Sequence, residues 1–187
     1  MAVAIEKLRP LTIEDLDAFP DDGMRREIVT GELIVTAAPS PVHQQLVALI
    51  IRLIGNHVDD RQLGLVFPAP VDVRLSPNDV VEPDIVFVSE ARLEIVTVKF
   101  IDGAPELVVE VLSPSTQQMD LVRKRALYSR SGINEYWIVD PDRRLLHLNR
   151  LESGLFVPVT TEDGVLRSTV LPDLEIDVPQ IFSKIRR

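Results

Sequence analysis

The chain has 187 residues, 45% of them hydrophobic, so we expect a single globular domain over residues 1–187 with its own buried core. It contains no cysteine and only three histidines, which excludes disulfides and thiolate metal sites and disfavours a histidine-rich zinc site. The net charge of −9 argues against a protein that coats duplex DNA, but leaves open a hard-cation site built from carboxylates.

The N-terminal ten residues carry Glu6 and Lys7 and lack the apolar core of a signal peptide. No apolar stretch of the sequence approaches the roughly 20 residues that a membrane helix needs. We therefore expect a cytoplasmic protein without membrane contact.

The first third of the chain predicts a short helix, a hairpin and a long helix. Thr12 is a capping residue for the first helix, and Thr30-Gly31 is a turn between strands within 26–36. Ser40 caps a helix that runs from Pro41 to about residue 58 with an apolar stripe along it. His43 lies on that stripe, where a structural histidine and a functional one are equally compatible with the pattern.

The remainder of the chain predicts strands with one further long helix. In the strand at 71–75, Asp72 alternates with three apolar residues, and an exposed strand face accounts for it. The order of elements predicts an α/β fold with a mixed central β-sheet flanked by helices, an extra N-terminal hairpin and short C-terminal strands. The predicted elements are strands 65–67, 71–75, 85–88, 106–112, 135–141, 144–151, 154–160 and 165–168, a turn at 76–79, a connection at 89–104, a helix from about 118 to 131 and a helical turn at 181–182.

Two acidic residues, Asp84 and Glu110, stand in or beside apolar strands, where a carboxylate is costly unless a cation or hydrogen-bond donors receive it. On adjacent strands they could bind Mg²⁺ or Mn²⁺, with a nearby lysine to orient a water. In the structural alternative, Asp84 caps a turn and Glu110 pairs with Arg74 or Lys124. The residues alone slightly favour this alternative.

Several segments resemble the Uma-two family of restriction endonucleases, which is similar to the PD-(D/E)XK nuclease superfamily. The clearest are Glu-Pro-Asp-Ile at 82–85 and Pro-Glu-Leu-Val-Val-Glu-Val-Leu-Ser-Pro-Ser-Thr at 105–116. The resemblance extends over about residues 25–182. It implies a restriction-endonuclease-like core and a metal-dependent endonuclease that hydrolyses DNA with Mg²⁺ (or Mn²⁺) and no organic cofactor. Further matching stretches lie at 26–33, 39–43, 66–75 and 120–141.

The resemblance also implies roles for individual residues. Asp84 and Glu110 match the two metal-binding acids, and the Val111 carbonyl is a further candidate ligand. The superfamily lysine position is occupied by Leu112, which departs from the pattern, and Lys124 on the following helix matches the family's own lysine.

Other matching positions receive auxiliary roles. Glu27, His43 and Asp72 match family positions around the same cleft, either as a third acid or as residues that support the ligands. Asp120 and Tyr128 stand four residues before and after Lys124, so the three form one polar line on the predicted helix.

Leu112 and the acidic net charge keep a second function open, a catalytically weak or inactive nuclease-fold module that binds nucleic acid or forms oligomers. A hydrolase of smaller phosphoesters would share the same site chemistry. Because cleavage of both DNA strands usually needs two active sites, we expect a homodimer.

Overall fold

The computed structural model of the chain describes residues 9–20, 22–113, 119–160 and 163–186, without the side chains of Asp17 and residues 119–121. No helix in these ranges is long and apolar enough to cross a membrane. The predicted start of the third helix near residue 118 lies outside the described residues.

The predicted N-terminal elements are confirmed. Helix α1 (Ile13–Asp17) begins after Thr12, whose backbone N–H donates to the Asp15 carboxylate at 2.8 Å. Strands β1 (Arg25–Val29) and β2 (Glu32–Thr36) form an antiparallel hairpin, whose turn residues both adopt positive φ.

The long helix α2 (Pro41–Arg61) is also confirmed and is about one turn longer than predicted. Its first turn is capped by the Ser40 hydroxyl, which accepts the His43 backbone N–H at 3.2 Å. The helix ends where Gln62 adopts a left-handed conformation with φ 54°.

The middle of the chain contains more short elements than the sequence predicts. The predicted turn at 76–79 joins two strands, and the connection at 89–104 contains a 3₁₀-helix and a two-residue strand. The strand predicted at 71–75 begins at Val73, so Asp72 precedes it and is half-buried rather than on an exposed strand face. The elements are β3 (Gly64–Pro68), β4 (Val73–Ser76), β5 (Asp79–Val81), β6 (Ile85–Ser89), the 3₁₀-helix Glu90–Ile95, β7 (Ile101–Asp102) and β8 (Leu107–Val111).

The last third begins with a π-helix (Met119–Lys124) that continues into an α-helix, where the sequence predicts one regular helix. Gly132, with φ 82°, follows that helix as predicted. The elements after the π-helix are α3 (Arg125–Arg130), β9 (Glu135–Asp140), β10 (Leu145–Glu152), β11 (Leu155–Pro158), β12 (Val165–Arg167), β13 (Glu175–Asp177) and α4 (Val178–Ser183).

The strands form a mixed six-stranded sheet in the order β11-β10-β9-β8-β6-β3, a five-stranded sheet in the order β2-β1-β5-β4-β7, and the pair β12-β13. In the six-stranded sheet β8 and β9 are parallel and the other neighbours are antiparallel. The predicted mixed α/β fold is confirmed. The N-terminal hairpin is part of the five-stranded sheet rather than an appendage.

Alternation along β8 separates two apolar layers. Val109 and Val111 pack in the layer that includes residues of α2 and α4, while Val108 packs with residues of α3 and the five-stranded sheet. Glu110 shares the face of Val108, as period-two geometry predicts. Its carboxylate is therefore directed between the two sheets, toward β1 and toward the π-helix and α3.

A second buried carboxylate, Glu135 on β9, accepts hydrogen bonds that link residues 168–170 to the six-stranded sheet. It is fully buried and accepts hydrogen bonds from Trp137 Nε1 at 3.0 Å and Ser168 Oγ at 2.8 Å. It also accepts from the Thr169 hydroxyl at 2.7 Å and the Val170 N–H at 3.2 Å. These donors compensate the buried charge, so Glu135 has a structural role.

We expect Glu135→Gln to lower the free energy of unfolding by about 3 kcal/mol, because the new amide directs N–H groups at donors that need an acceptor. Urea denaturation followed by tryptophan fluorescence measures this change. The matched control is Glu175→Gln, which removes an exposed partner of Arg167 and should cost less than about 1 kcal/mol. Equal losses in the two variants would contradict the role of Glu135.

Candidate active site

The register of the six-stranded sheet places Asp84 opposite Glu110. Strands β6 and β8 are antiparallel with Ile85 paired to Val109, and one more step of this register pairs Asp84 with Glu110 at the end of the sheet. The two residues are only 3% and 2% exposed. The two acids, 26 positions apart in the sequence, therefore lie at the same end of neighbouring strands, and the Asp84 carboxylate accepts the N–H of Val111, the residue after Glu110.

Asp84 is held by donors from three elements. Its Oδ2 accepts the Val111 backbone N–H at 2.8 Å and lies 3.1 Å from His43 Nε2 on α2. Its Oδ1 accepts from Arg25 Nη1 at 3.3 Å. Burial raises the pKa of Asp84, but the His43 contact, the Arg25 charge and the Val111 hydrogen bond outweigh it and lower the pKa below its usual value.

Glu110 accepts hydrogen bonds from two side chains of the helical segment that follows β8. One carboxylate oxygen, Oε1, accepts from Lys124 Nζ at 2.9 Å and from the Tyr128 hydroxyl at 2.6 Å. Burial and the charge of Glu110 raise the pKa of Tyr128 well above its usual value, so its hydroxyl stays protonated and donates.

Lys124 joins Glu110 to the five-stranded sheet. The side chain is 2% exposed, and Nζ lies 2.8 Å from Glu27 Oε1 on β1. Glu27 is also buried and accepts the Glu82 backbone N–H at 2.8 Å. A buried ammonium is tolerated here because two carboxylates compensate it.

A cavity of about 620 Å³ opens beside these groups. Asp84, Glu110 and Lys124 line it and form what we call its polar end. Of the residues that the sequence singled out, Glu27 and His43 also line the cavity. The other lining residues are Arg25, Thr36, Ala37, Ala38, Pro39, Ser40, Val42, Leu46, Val111, Leu112, Ser113, Pro141, Asp142, Arg144, Phe182 and Ile185.

Arg25 is a member of this site that the sequence interpretation missed. Besides Asp84, its guanidinium contacts the Glu82 backbone carbonyl and lies 3.8 Å from Glu27 Oε1. Burial lowers the pKa of Arg25, but the surrounding carboxylates raise it further, so the side chain remains charged. The signal was present in the sequence, since Arg25 and Glu27 share a strand face at period two.

The family comparison decides what the chain is related to. The Uma2 family, described as "Putative restriction endonuclease", matches residues 13–179. The chain belongs to the Uma2 family.

The Uma2 fold also has a solved counterpart. A crystal structure described as "a putative nuclease belonging to DUF820" from Anabaena variabilis ATCC 29413 is similar, with a TM-score of 0.78 and 18% identity. The match covers 93% of this chain and 98% of that one, and it shows the fold alone. A search of curated proteins finds no match.

The contacts described above do not include three positions that the family resemblance singled out, Leu112, Asp72 and Asp120. Leu112 packs in the core and lines the cavity. Asp72 is not among the cavity-lining residues. Burial raises the pKa of Glu82 to about 7, and the charge of Asp72 adds to that rise against the opposing charge of Arg25. The side chain of Asp120 lies outside the described residues.

Three arginines of the π-helix and α3, Arg123, Arg125 and Arg130, are largely paired within the protein itself. Arg123 pairs with Glu32 at 2.6 Å, and Arg130 pairs with Asp79 at 2.9 Å. Arg125 donates to the Asn149 side chain and to a backbone carbonyl of β11.

The donor set at the polar end suits a hard divalent cation. Mg²⁺ is commonly bound by one or two carboxylates together with waters and substrate phosphates. Asp84 and Glu110 supply two carboxylates; Asp84 contacts the Arg25 guanidinium, and the charge of Glu110 also acts on it. Within the described part of the chain, no group of three or more His, Cys, Asp or Glu side chains could hold a metal ion. Asp84 and Glu110 are the two carboxylates here that could hold such a cation together with waters and a substrate phosphate.

Proposed function

We propose that the protein is a metal-dependent endonuclease that hydrolyses DNA phosphodiester bonds at the polar end of this cavity. The observation that carries the proposal is the contact of Lys124 Nζ with Glu110, 2.9 Å apart, next to the strand position where Asp84 opposes Glu110. Family membership supports the same reaction class. Bound Mg²⁺ or Mn²⁺ would supply Lewis-acid stabilisation of phosphate charge and a more acidic water.

The residues divide the work by their contacts. Asp84 and Glu110 offer oxygen ligands, with the Val111 carbonyl as a further candidate. Lys124 Nζ orients the attacking water and adds positive charge beside the phosphate, while Glu27 holds the ammonium in place. The water oxygen bonds to phosphorus and gives up one proton to solvent as the bond to the leaving sugar oxygen breaks, and the leaving oxygen takes a proton from solvent.

Position 112, where the superfamily has its lysine, is a leucine in this chain, and Lys124 can take the role of that lysine. The contact between Lys124 and Glu110 puts an ammonium beside the second acid although Leu112 is apolar. This favours a catalytic function over an inactive nuclease-fold module.

Cleavage of supercoiled plasmid tests the proposal. The wild-type protein should nick or linearise the plasmid with Mg²⁺ or Mn²⁺ and should do nothing with EDTA. Glu110→Gln should be inactive under the same conditions, whereas Glu152→Gln, which changes an exposed carboxylate on β10, should match the wild type. Absence of cleavage with either metal on varied DNA substrates would reject the proposal, and cleavage of only small phosphoesters would favour the narrower hydrolase.

His43 provides a test of how Asp84 is oriented. His43→Leu removes a contact to Asp84 Oδ2 and should weaken metal affinity and cleavage by about 10–100-fold. Mn²⁺ titration followed by electron paramagnetic resonance, together with plasmid cleavage, measures both effects. His147→Leu changes an exposed histidine on β10 and is the control. Unchanged affinity in His43→Leu would show that the contact does not position Asp84.

A further inference from the structure

Arg25 lies among the carboxylates of the site, 3.3 Å from Asp84, 3.7 Å from Glu82 and 3.8 Å from Glu27. The charges that raise its pKa are the carboxylates of Glu27, Glu110, Asp84 and Glu82. Lys124 pairs with Glu27 and Glu110. Arg25 contacts Asp84 directly, and the charge of Glu110 acts on it as well.

The hydrogen bonds of Arg25 leave part of its guanidinium without an acceptor. Nη1 reaches Asp84 Oδ1 at 3.3 Å, the long end of a hydrogen bond, and Nη2 donates to the Glu82 carbonyl. Nε is buried, and it has no hydrogen-bond partner within the described ranges of the chain. The distance from Nε to the Glu82 carboxylate oxygen Oε2 is 3.7 Å.

A guanidinium in this state matches a phosphate ligand. Its fork presents parallel N–H groups to two oxygens of a phosphate, which a lysine ammonium cannot do. Arg25 lines the same cavity as Asp84 and Glu110, and its side chain is 23% exposed. The guanidinium is therefore close enough to those carboxylates to contact a phosphate bound beside them.

We propose that Arg25 is the resident counter-cation of the acidic group, that it competes with the divalent cation for Asp84, and that it binds a phosphate of the DNA once that cation is present. This inference rests on the proposed function and adds to it a residue that contacts substrate. It predicts that removal of the Arg25 charge strengthens metal binding and weakens DNA binding.

The first experiment measures Mn²⁺ affinity by electron paramagnetic resonance of the free ion. Arg25→Gln should bind Mn²⁺ about tenfold more tightly than the wild type, because a competing positive charge has been removed. Arg25→Lys, which keeps the charge, should stay close to the wild type. Arg26→Gln is the matched control, since the neighbouring arginine pairs with Asp22 rather than with the site.

A purely structural Arg25 gives the opposite result. If the guanidinium only holds Asp84 in position, Arg25→Gln will bind Mn²⁺ more weakly, and that result overturns the inference while leaving the proposed nuclease intact. If neither the wild type nor any variant binds Mn²⁺, the proposed function itself fails.

The second experiment measures DNA affinity by fluorescence anisotropy of a labelled duplex with Ca²⁺, which uses the same oxygen donors. Arg25→Gln should weaken binding about tenfold and reduce the slope of log affinity against log salt by about one. Arg25→Lys should show an intermediate loss because it lacks the fork. A slope in Arg25→Gln equal to that of the wild type and of Arg26→Gln would overturn the phosphate contact.

Discussion

Replacing Lys124 with methionine is expected to lower the free energy of unfolding by about 3–5 kcal/mol, because the buried carboxylates of Glu27 and Glu110 lose their shared cation. The same change should slow DNA cleavage by about 10²–10⁴-fold, since the group proposed to orient the water is gone. Urea denaturation and plasmid cleavage measure the two effects separately. Lys99→Met, at an exposed position, should change neither.

A double variant separates the structural effect of Lys124 from its proposed catalytic effect. Lys124→Met with Glu27→Gln removes one of the two uncompensated charges and should recover part of the lost stability. Cleavage should stay absent, because the ammonium is still missing. Recovery of cleavage together with stability would mean that Lys124 only supports the fold.

Asp84→Asn should reduce cleavage by about 10²–10⁴-fold, which corresponds to the several kcal/mol that a bound cation contributes to stabilising phosphate charge. The substitution keeps the size of the side chain and one oxygen that can accept the Val111 N–H. The expected loss is therefore in metal binding rather than in folding, and circular dichroism with Mn²⁺ titration distinguishes them.

The matched control for Asp84→Asn is Asp102→Asn, an exposed residue of β7. It should cleave DNA and bind Mn²⁺ like the wild type. If Asp84→Asn retains wild-type cleavage, Asp84 is a structural residue that caps the entrance of β6, as the simpler interpretation of the sequence holds.

Elements with strong local signals could be predicted from the sequence. Helix α2 has a capping serine, a proline in its first turn and a continuous apolar stripe, and β8 is almost wholly apolar around Glu110. These signals act within a few residues, so they are legible without the fold. The opposition of Asp84 and Glu110 followed from assigning both to adjacent strands.

Other features depend on contacts that no local pattern reports. Strands β5, β7 and β13 have only two or three residues each and exist because neighbouring strands accept their hydrogen bonds. The π-helix before α3 is likewise invisible to a search for regular helical spacing.

The candidate site also combines residues that the sequence indicates with contacts that only the folded chain creates. The two acids stood out by residue type, and the resemblance to the family indicated Lys124, but the two-carboxylate compensation of Lys124 appears only when β1 packs against the helix. Arg25 was missed because its partners, Asp84 and the Glu82 carbonyl, lie more than 50 positions away along the chain. The one local signal is its period-two spacing from Glu27 on β1, and the pairing with these distant partners has no sequence signature.

The location of Mn²⁺ in crystals grown with a duplex oligonucleotide tests the central claim most directly. Anomalous diffraction should show one peak within about 2.0–2.6 Å of carboxylate oxygens of both Asp84 and Glu110, the distance range of hard-cation ligands. Lys124 Nζ should remain within hydrogen-bond reach of Glu110. A peak away from these two carboxylates, or no peak at all with DNA bound in the cavity, would contradict a metal-dependent nuclease centre at this position.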